Sequence, residues 1–199
     1  VKVMKAKKNY GYGRLMEILK PSPYRVDPIC PSARQCGGCQ LQAVSYEEQK
    51  AFKEKKLRGH LERIGGFKEL PMEPLIGMDE PYHYRNKAQF PVGRNKEGRI
   101  VTGFYAGRTH AIIENRDCAL GIPQNKEVLD RVIAHMEKYN IAPYDEMTGK
   151  GLVRHIFVRY GFFTGELMVC LIINGQDFPH QKELVEKLGE IPGVTSISL

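Results

Sequence analysis

The chain has 199 residues, a net charge of +7 and a hydrophobic content of 42%. This size suits one large or two small domains with a real core, and the positive charge favours a polyanion such as nucleic acid over a membrane surface. No apolar stretch approaches the ~20 residues that span a bilayer, and the N-terminus lacks a signal-peptide core. We therefore expect a globular, cytoplasmic monomer without membrane contact.

Two short β segments are predicted at the N-terminus, one before and one after Asn9-Tyr10-Gly11-Tyr12-Gly13. The linker Lys20-Pro21-Ser22-Pro23 follows and is too rich in proline for regular structure. Because an isolated hairpin is marginal in water, residues 1–26 are expected to be the end of a small β domain whose beginning is missing.

Three cysteines stand close together in Cys30-Pro31-Ser32-Ala33-Arg34-Gln35-Cys36-Gly37-Gly38-Cys39, and Cys118 is far downstream. The two glycines lack a Cβ atom, so the backbone can turn tightly and direct sulfur atoms and N–H groups to one point. Iron–sulfur clusters take four Cys ligands, and a spacing one residue shorter holds a [2Fe–2S] cluster in plant-type ferredoxins. Structural zinc and unrelated thiols are the alternatives, although zinc ribbons usually contain two close pairs of cysteines. In the cytosol, cysteine clusters are more often metal sites than disulfides.

The fifth cysteine, Cys170, lies in the apolar run Leu167-Met168-Val169-Cys170-Leu171-Ile172-Ile173. This run predicts a buried strand, in which a free cysteine is ordinary core filling.

A helix is predicted to begin at the capping box Ser45-Tyr46-Glu47-Glu48 and to end at Gly65-Gly66. Phe52, Leu57, Leu61 and Ile64 are expected to form its buried side. Its lysines are interspersed with glutamates, which is more typical of a solvated face than of an RNA-binding patch.

From residue 71 onward the pattern is mixed α and β. Strands are predicted at 82–93, 100–106, 109–118, 152–160, 166–173 and 194–199. One helix follows Pro123, with apolar residues at helical spacing between Val128 and Tyr139, and a second covers about 179–189. The predicted fold class is α+β, with a mixed, largely antiparallel sheet and a few helices.

Two predicted strands carry residues suited to contact a polyanion. Strand alternation puts His83, Arg85, Lys87 and Gln89 on one face, opposite apolar Tyr82, Tyr84, Ala88 and Phe90. In the other strand, His155 and Arg159 share a face and Arg154 lies on the opposite one. The alternative to a phosphate-contacting surface is the exposed face of a half-buried strand that binds no ligand.

Catalytic motifs are missing from this stretch of sequence. It contains no G-x-G-x-x-G after a strand, no Walker loop and no nucleophile with a local base. We therefore expect no catalytic residue and no nucleotide-type cofactor site within these 199 residues.

The chain resembles the uracil-5-methyltransferases of 23S ribosomal RNA. The resemblance rests on the four cysteines, the loop Cys36-Gly37-Gly38-Cys39-Gln40-Leu41-Gln42, the segment Tyr84-Arg85-Asn86-Lys87 and the run Gly151-Leu152-Val153-Arg154-His155. In that family, an N-terminal TRAM domain of OB type binds RNA, a central domain holds a [4Fe–4S] cluster on four cysteines, and a C-terminal domain binds S-adenosylmethionine. A Cys thiolate adds to C6 of a flipped-out uracil, C5 accepts the methyl group, and a carboxylate removes the C5 proton. Base flipping is needed because C6 is inaccessible in a stack.

The resemblance implies three parts. Residues 1–26 match the end of the TRAM domain, 27–70 the cluster loop and a helix, and 71–199 the α+β central RNA-binding domain. The methyltransferase domain is expected to be absent, so the chain alone is expected to be inactive.

The resemblance also implies ligands. Cys30, Cys36, Cys39 and Cys118 match the cluster ligands, and tRNA-modifying relatives generally lack this set. The residues expected to contact ribosomal RNA are Lys5, Lys7, Lys8, Arg85, Lys87, Arg154 and Arg159. An iron–sulfur electron carrier and a zinc-stabilised RNA-binding module are the competing hypotheses, and the C-x3-C-x2-C spacing of radical-type enzymes is not present.

Overall fold

The strands and helices fall into two units in the computed structural model, which describes residues 1–199. The first unit contains Val1–Asp27 and Ala43–Leu75, and the second contains Pro28–Gln42 and Ile76–Leu199. The cysteine loop thus belongs to the same unit as Cys118. The assignment of residues 1–26 to a TRAM domain, and the other domain boundaries, remain predictions.

The first unit contains a hairpin and one helix. Strands β1 (Lys2–Ala6) and β2 (Gly11–Arg14) pair antiparallel, with Ala6 opposite Gly11. Both lie where the sequence predicted β segments. Helix α1 (Tyr46–Arg63) is also in the predicted position. None of the residues of this unit is buried.

Two predicted details of α1 are wrong. Its apolar residues do not form a buried side, because Phe52 is 49% exposed and Leu57 is 51% exposed. Ser45 precedes the helix but makes no capping bond with its side chain. Its backbone carbonyl instead accepts the N–H of Gln49 at 2.9 Å, and the Gln49 side chain donates to the carbonyl of Val44 at the same distance.

A six-stranded sheet forms the second unit. Its order is β5-β4-β3-β6-β7-β8. All neighbouring strands are antiparallel except β7 and β8, which are parallel and joined through helix α3. The bounds are β3 (Lys87–Arg94), β4 (Ile100–Tyr105), β5 (Ile112–Glu114), α2 (Gln124–Lys138), β6 (Val153–Tyr160), β7 (Leu167–Ile173), α3 (Gln181–Gly189) and β8 (Val194–Ser198).

Helices α2 and α3 pack on one face of this sheet and build a single core. The apolar positions of α2 recur at helical spacing, and Leu129, Val132 and Met136 are fully buried. They share one hydrophobic cluster with Phe90 and Ile156 from the central strands. The opposite face of the sheet is only partly covered and carries Lys87, Gln89, Phe157, Arg159, Met168 and Cys170.

The predicted α+β class with a mixed sheet is confirmed, whereas two strands are shorter than expected. The strand predicted from residue 82 begins at Lys87, because His83 has a φ of 53° and breaks the extended backbone. The strand predicted over 109–118 is reduced to Ile112–Glu114. None of the three helices is both long and apolar enough to cross a membrane.

Candidate functional site

The cysteine loop is folded by its own backbone and held against the end of β4. The N–H of Cys36 donates to the carbonyl of Ser32 at 2.8 Å, and the N–H of Gly37 donates to the carbonyl of Tyr105 at 3.0 Å. A Cβ atom on Gly37 would lie 3.1 Å from both the Tyr105 oxygen and the Gly107 Cα. The close approach of two backbones therefore favours glycine here, since a side chain would force one of them to move slightly.

Three of the cysteine sulfur atoms accept hydrogen bonds. The N–H of Gly38 donates to Cys36 Sγ at 3.4 Å, and Gln42 Nε2 donates to Cys39 Sγ at 3.3 Å. Asn115 Nδ2 donates to the buried Cys30 Sγ at 3.6 Å. Donors directed at sulfur stabilise thiolate, the form that binds metals.

Cys118 lies beside Cys30 in a half-buried position. Burial raises the pKa of the Cys118 thiol, and the neighbouring Cys30 adds to this, whereas the backbone N–H groups of Leu120 and Gly121 and the guanidinium of Arg85 oppose it. Arg85 is held there by its own N–H, which donates to the carbonyl of Leu120 at 2.9 Å. The segment after Cys118 thus offers N–H donors to the sulfur, and Arg85, which pairs with that segment, offers positive charge.

A soft metal centre fits the chemistry of these residues, since four thiols on two adjoining segments are the donors that iron–sulfur clusters and zinc prefer. In the structure, however, no group of three or more His, Cys, Asp or Glu side chains is close enough together to hold a metal ion. The loop and Cys118 are thus in the same unit without forming a coordination sphere.

Lys87 and Arg159 form the clearest cationic surface. They are directly opposite each other on β3 and β6, both are exposed, and neither forms an ion pair. Like charges facing each other across two strands destabilise a sheet slightly, and an anion between them removes that repulsion. This pair is suited to contact a phosphate.

The remaining predicted contact residues are dispersed. The predicted continuous face from His83 to Gln89 is wrong, because His83 and Arg85 precede the strand and their N–H groups donate to the carbonyls of Ala119 and Leu120. Arg154 is exposed, and its guanidinium lies 4.7 Å from the centre of the Tyr144 ring. Lys5 is in β1 and Lys7 and Lys8 are in the turn after it, in the first unit.

Sequence reasoning missed two residues that contact the cysteines. Asn115 and Gln42 each donate a side-chain amide hydrogen to sulfur. Gln42 could have been found from its position close to Cys39. Asn115 has no comparable signal, because its contact with Cys30 exists only in the folded chain.

Relatives in sequence match nearly the whole chain. An uncharacterized RNA methyltransferase of Halalkalibacterium halodurans is 45% identical over 197 residues, 98% of this chain and 43% of that protein. Uncharacterized RNA methyltransferases of Clostridium tetani and Staphylococcus aureus are 42% and 40% identical, over 99% and 98% of this chain. The chain spans about 43% of the length of the curated relatives it matches.

The fold has a solved counterpart. The crystal structure of Pyrococcus abyssi tRNA (uracil-54, C5)-methyltransferase, in complex with S-adenosyl-L-homocysteine, matches 92% of this chain and 40% of that one, with a TM-score of 0.68 and 25% identity. No protein-family model matches the chain. The chain is therefore similar, in sequence and in fold, to a part of RNA methyltransferases.

Proposed function

We propose that this chain is the central part of an S-adenosylmethionine-dependent RNA methyltransferase that methylates C5 of a uridine in 23S ribosomal RNA, as a cytoplasmic monomer. The observation that carries this proposal is the similarity to RNA methyltransferases over 98% of the chain. The fold shared with a uracil-C5 methyltransferase supports the reaction type. On this proposal, residues 1–26 are the end of a TRAM domain and residues 71–199 help to position RNA.

The four predicted ligands, Cys30, Cys36, Cys39 and Cys118, bind a [4Fe–4S] cluster in this proposal. The cluster would connect the cysteine loop to the segment at Cys118, and both belong to the same unit. Such a cluster would supply rigidity, and no step of methyl transfer passes through it. The hydrogen bonds from Asn115 and Gln42 to sulfur support a role in holding thiolates.

Transfer RNA is the second candidate substrate, and a specific observation favours it, namely that the solved counterpart is named for a tRNA uridine. The two substrates are separated by incubating the full-length enzyme and radiolabelled S-adenosylmethionine with purified 23S ribosomal RNA or tRNA, followed by nucleoside analysis. 5-Methyluridine in ribosomal RNA alone is expected. Label in tRNA alone overturns the ribosomal assignment, and label in neither overturns the methyltransferase proposal.

Lys87→Ala is expected to weaken RNA binding and to reduce its salt dependence. If the predicted basic residues neutralise roughly four phosphates, log affinity falls with log salt with a slope of about −3 to −4. Removing one phosphate contact makes this slope shallower by about one unit. Fluorescence anisotropy with labelled structured RNA at several salt concentrations measures both quantities.

Lys126→Ala is the matched control. It removes the same charge from α2, on the helix-covered side of the sheet, where Lys126 pairs with Asp130 at 2.6 Å. The slope should be unchanged in this variant. If the wild type and Lys87→Ala have equal slopes of log affinity against log salt, the surface of Lys87 and Arg159 contacts solvent and not phosphate.

The chain alone is expected to bind no S-adenosylmethionine, because its sequence contains no motif suited to that cofactor. Titration calorimetry of the 199-residue chain with S-adenosylmethionine checks this. Saturable binding in the micromolar range contradicts the expectation that S-adenosylmethionine binds outside these residues.

A further inference from the structure

A cavity of about 580 Å³ opens beside the ends of β3, β4 and β6 in the second unit. Its floor includes Val92 and Gly93 of β3, and its walls carry Tyr105, Tyr144 and Arg154. The volume lies within the range of small-ligand sites, roughly 300–1,000 Å³. None of the residues that line this cavity belongs to the cysteine loop.

Aromatic rings and planar guanidinium groups line part of this cavity. The rings of Tyr105 and His110 are stacked, with centroids 5.2 Å apart and planes inclined by 28°. In the same lining, the Arg154 guanidinium lies over the Tyr144 ring, 4.7 Å from its centre. Aromatic side chains and Arg guanidinium planes are the surfaces on which proteins stack unpaired RNA bases.

The polar lining is mixed rather than uniformly positive. Arg94 and Arg154 are balanced by Asp145 and Glu146, and Glu146 contacts His110 at 3.0 Å. A phosphate needs a predominance of positive charge, whereas the edge of a nucleobase offers both donors and acceptors. The lining therefore fits a neutral planar heterocycle better than an anion.

The protonation states of His155 and Tyr105 also suit a neutral heterocycle. Burial lowers the pKa of His155, and the neighbouring Arg154 lowers it further against the opposing effect of Glu146, which favours the neutral imidazole with one donor and one acceptor. Burial raises the pKa of Tyr105, which keeps its hydroxyl protonated. Exposed Arg108 and Lys150 lie in the chain segments beside the lining, where flanking phosphates can be neutralised.

We infer that this cavity binds one unpaired base of an RNA strand, stacked on Tyr105 and read at its edge by the Arg154 and His155 side chains. The inference rests on the proposed RNA-binding function and adds a place where bases, rather than phosphates, are recognised. It predicts that RNA binds more tightly than an abasic strand of the same length and charge.

The test compares two fluorescein-labelled probes, a 12-nucleotide single-stranded RNA and its abasic counterpart, by anisotropy with the 199-residue chain. Tyr105→Ala should reduce the preference for RNA over the abasic strand by roughly 5- to 150-fold, as expected for the loss of one stacked base. The salt dependence should stay unchanged, because no phosphate contact is removed. Tyr105→Phe, which keeps the ring, should retain the preference.

Two further variants keep the inference testable if Tyr105→Ala folds poorly. His110 is exposed, and His110→Ala should lower the same preference without disturbing the core. Tyr24→Ala removes an exposed ring of the first unit and should leave the preference for RNA unchanged.

An equal affinity of the wild-type chain for RNA and the abasic strand overturns the inference, and so does an unaltered preference in both Tyr105→Ala and His110→Ala. Neither result affects the methylation assay of the full-length enzyme, which decides the proposed function separately.

Discussion

Cys118→Ser is expected to purify without iron and to unfold far more readily than the wild-type chain. Serine oxygen is a poor replacement for a thiolate on iron, and a cluster that loses one of four cysteines is lost or becomes labile. Cluster binding is coupled to folding because the ligands come from separate segments. The free energy of unfolding should fall by roughly 4 kcal/mol or more, the stabilisation given by a ligand at a thousandfold excess over its Kd. Iron and sulfide analysis of anaerobically purified protein, with thermal unfolding, measures both effects.

Cys170→Ser is the matched control. Cys170 is half-buried on the partly covered face of β7, opposite Phe157, and forms no disulfide. This variant should retain about four iron atoms per chain and lose only about 1 kcal/mol. Stoichiometric zinc without iron in the wild-type chain contradicts the iron–sulfur assignment and favours the zinc-stabilised module. Reversible one-electron reduction with a defined partner favours the electron carrier.

The elements of the second unit were predictable because its core imposes strong periodicity. Helix α2 has apolar residues at the predicted helical spacing, and four of them, Val128, Leu129, Val132 and Ile133, are buried. The runs that became β6 and β7 are bounded by turn residues, including Gly165 with a φ of 73°. Local sequence and tertiary packing agree here, which makes prediction reliable.

Helix α1 shows where that reasoning fails. Its position follows from helix-forming residues, but the burial of Phe52 and Leu57 depends on a partner surface. No sheet or second helix belongs to the first unit besides the small hairpin, so the apolar side chains stay exposed. Periodicity indicates which residues share a face and does not reveal what covers that face.

The base-binding cavity could not be predicted from sequence for two reasons. The pairing of β6 with β7 has a register irregularity between Val153 and His155, so simple alternation misplaces Arg154 relative to His155. Both side chains line the same cavity, whereas alternation put them on opposite faces. Tyr105 and Tyr144 come from distant segments, and their proximity is a property of the fold alone.

Gly151→Ala is expected to be among the most destabilising single substitutions in the second unit. Gly151 has a φ of 95°, a backbone angle that residues other than glycine rarely adopt. A Cβ atom there would overlap the carbonyl oxygen of Pro143 and lie 2.7 Å from its carbonyl carbon. Pro143 cannot easily withdraw, because the N–H of Leu152 donates to Ala142 and the N–H of Tyr144 donates to Val153, both at 2.8 Å.

Strain and displaced backbone together should lower the free energy of unfolding by about 3 to 4 kcal/mol. The wall that carries Tyr144 should shift, so the preference for RNA over an abasic strand should also decline in the folded fraction. Gly149→Ala separates the two causes, because Gly149 has a similar positive φ of 68° but open space where its Cβ would lie. It should cost only about 1 kcal/mol. Urea denaturation of both variants measures the difference, and equal costs would mean that backbone conformation alone, rather than the contact with Pro143, requires glycine at the start of the Gly151-Leu152-Val153-Arg154-His155 segment.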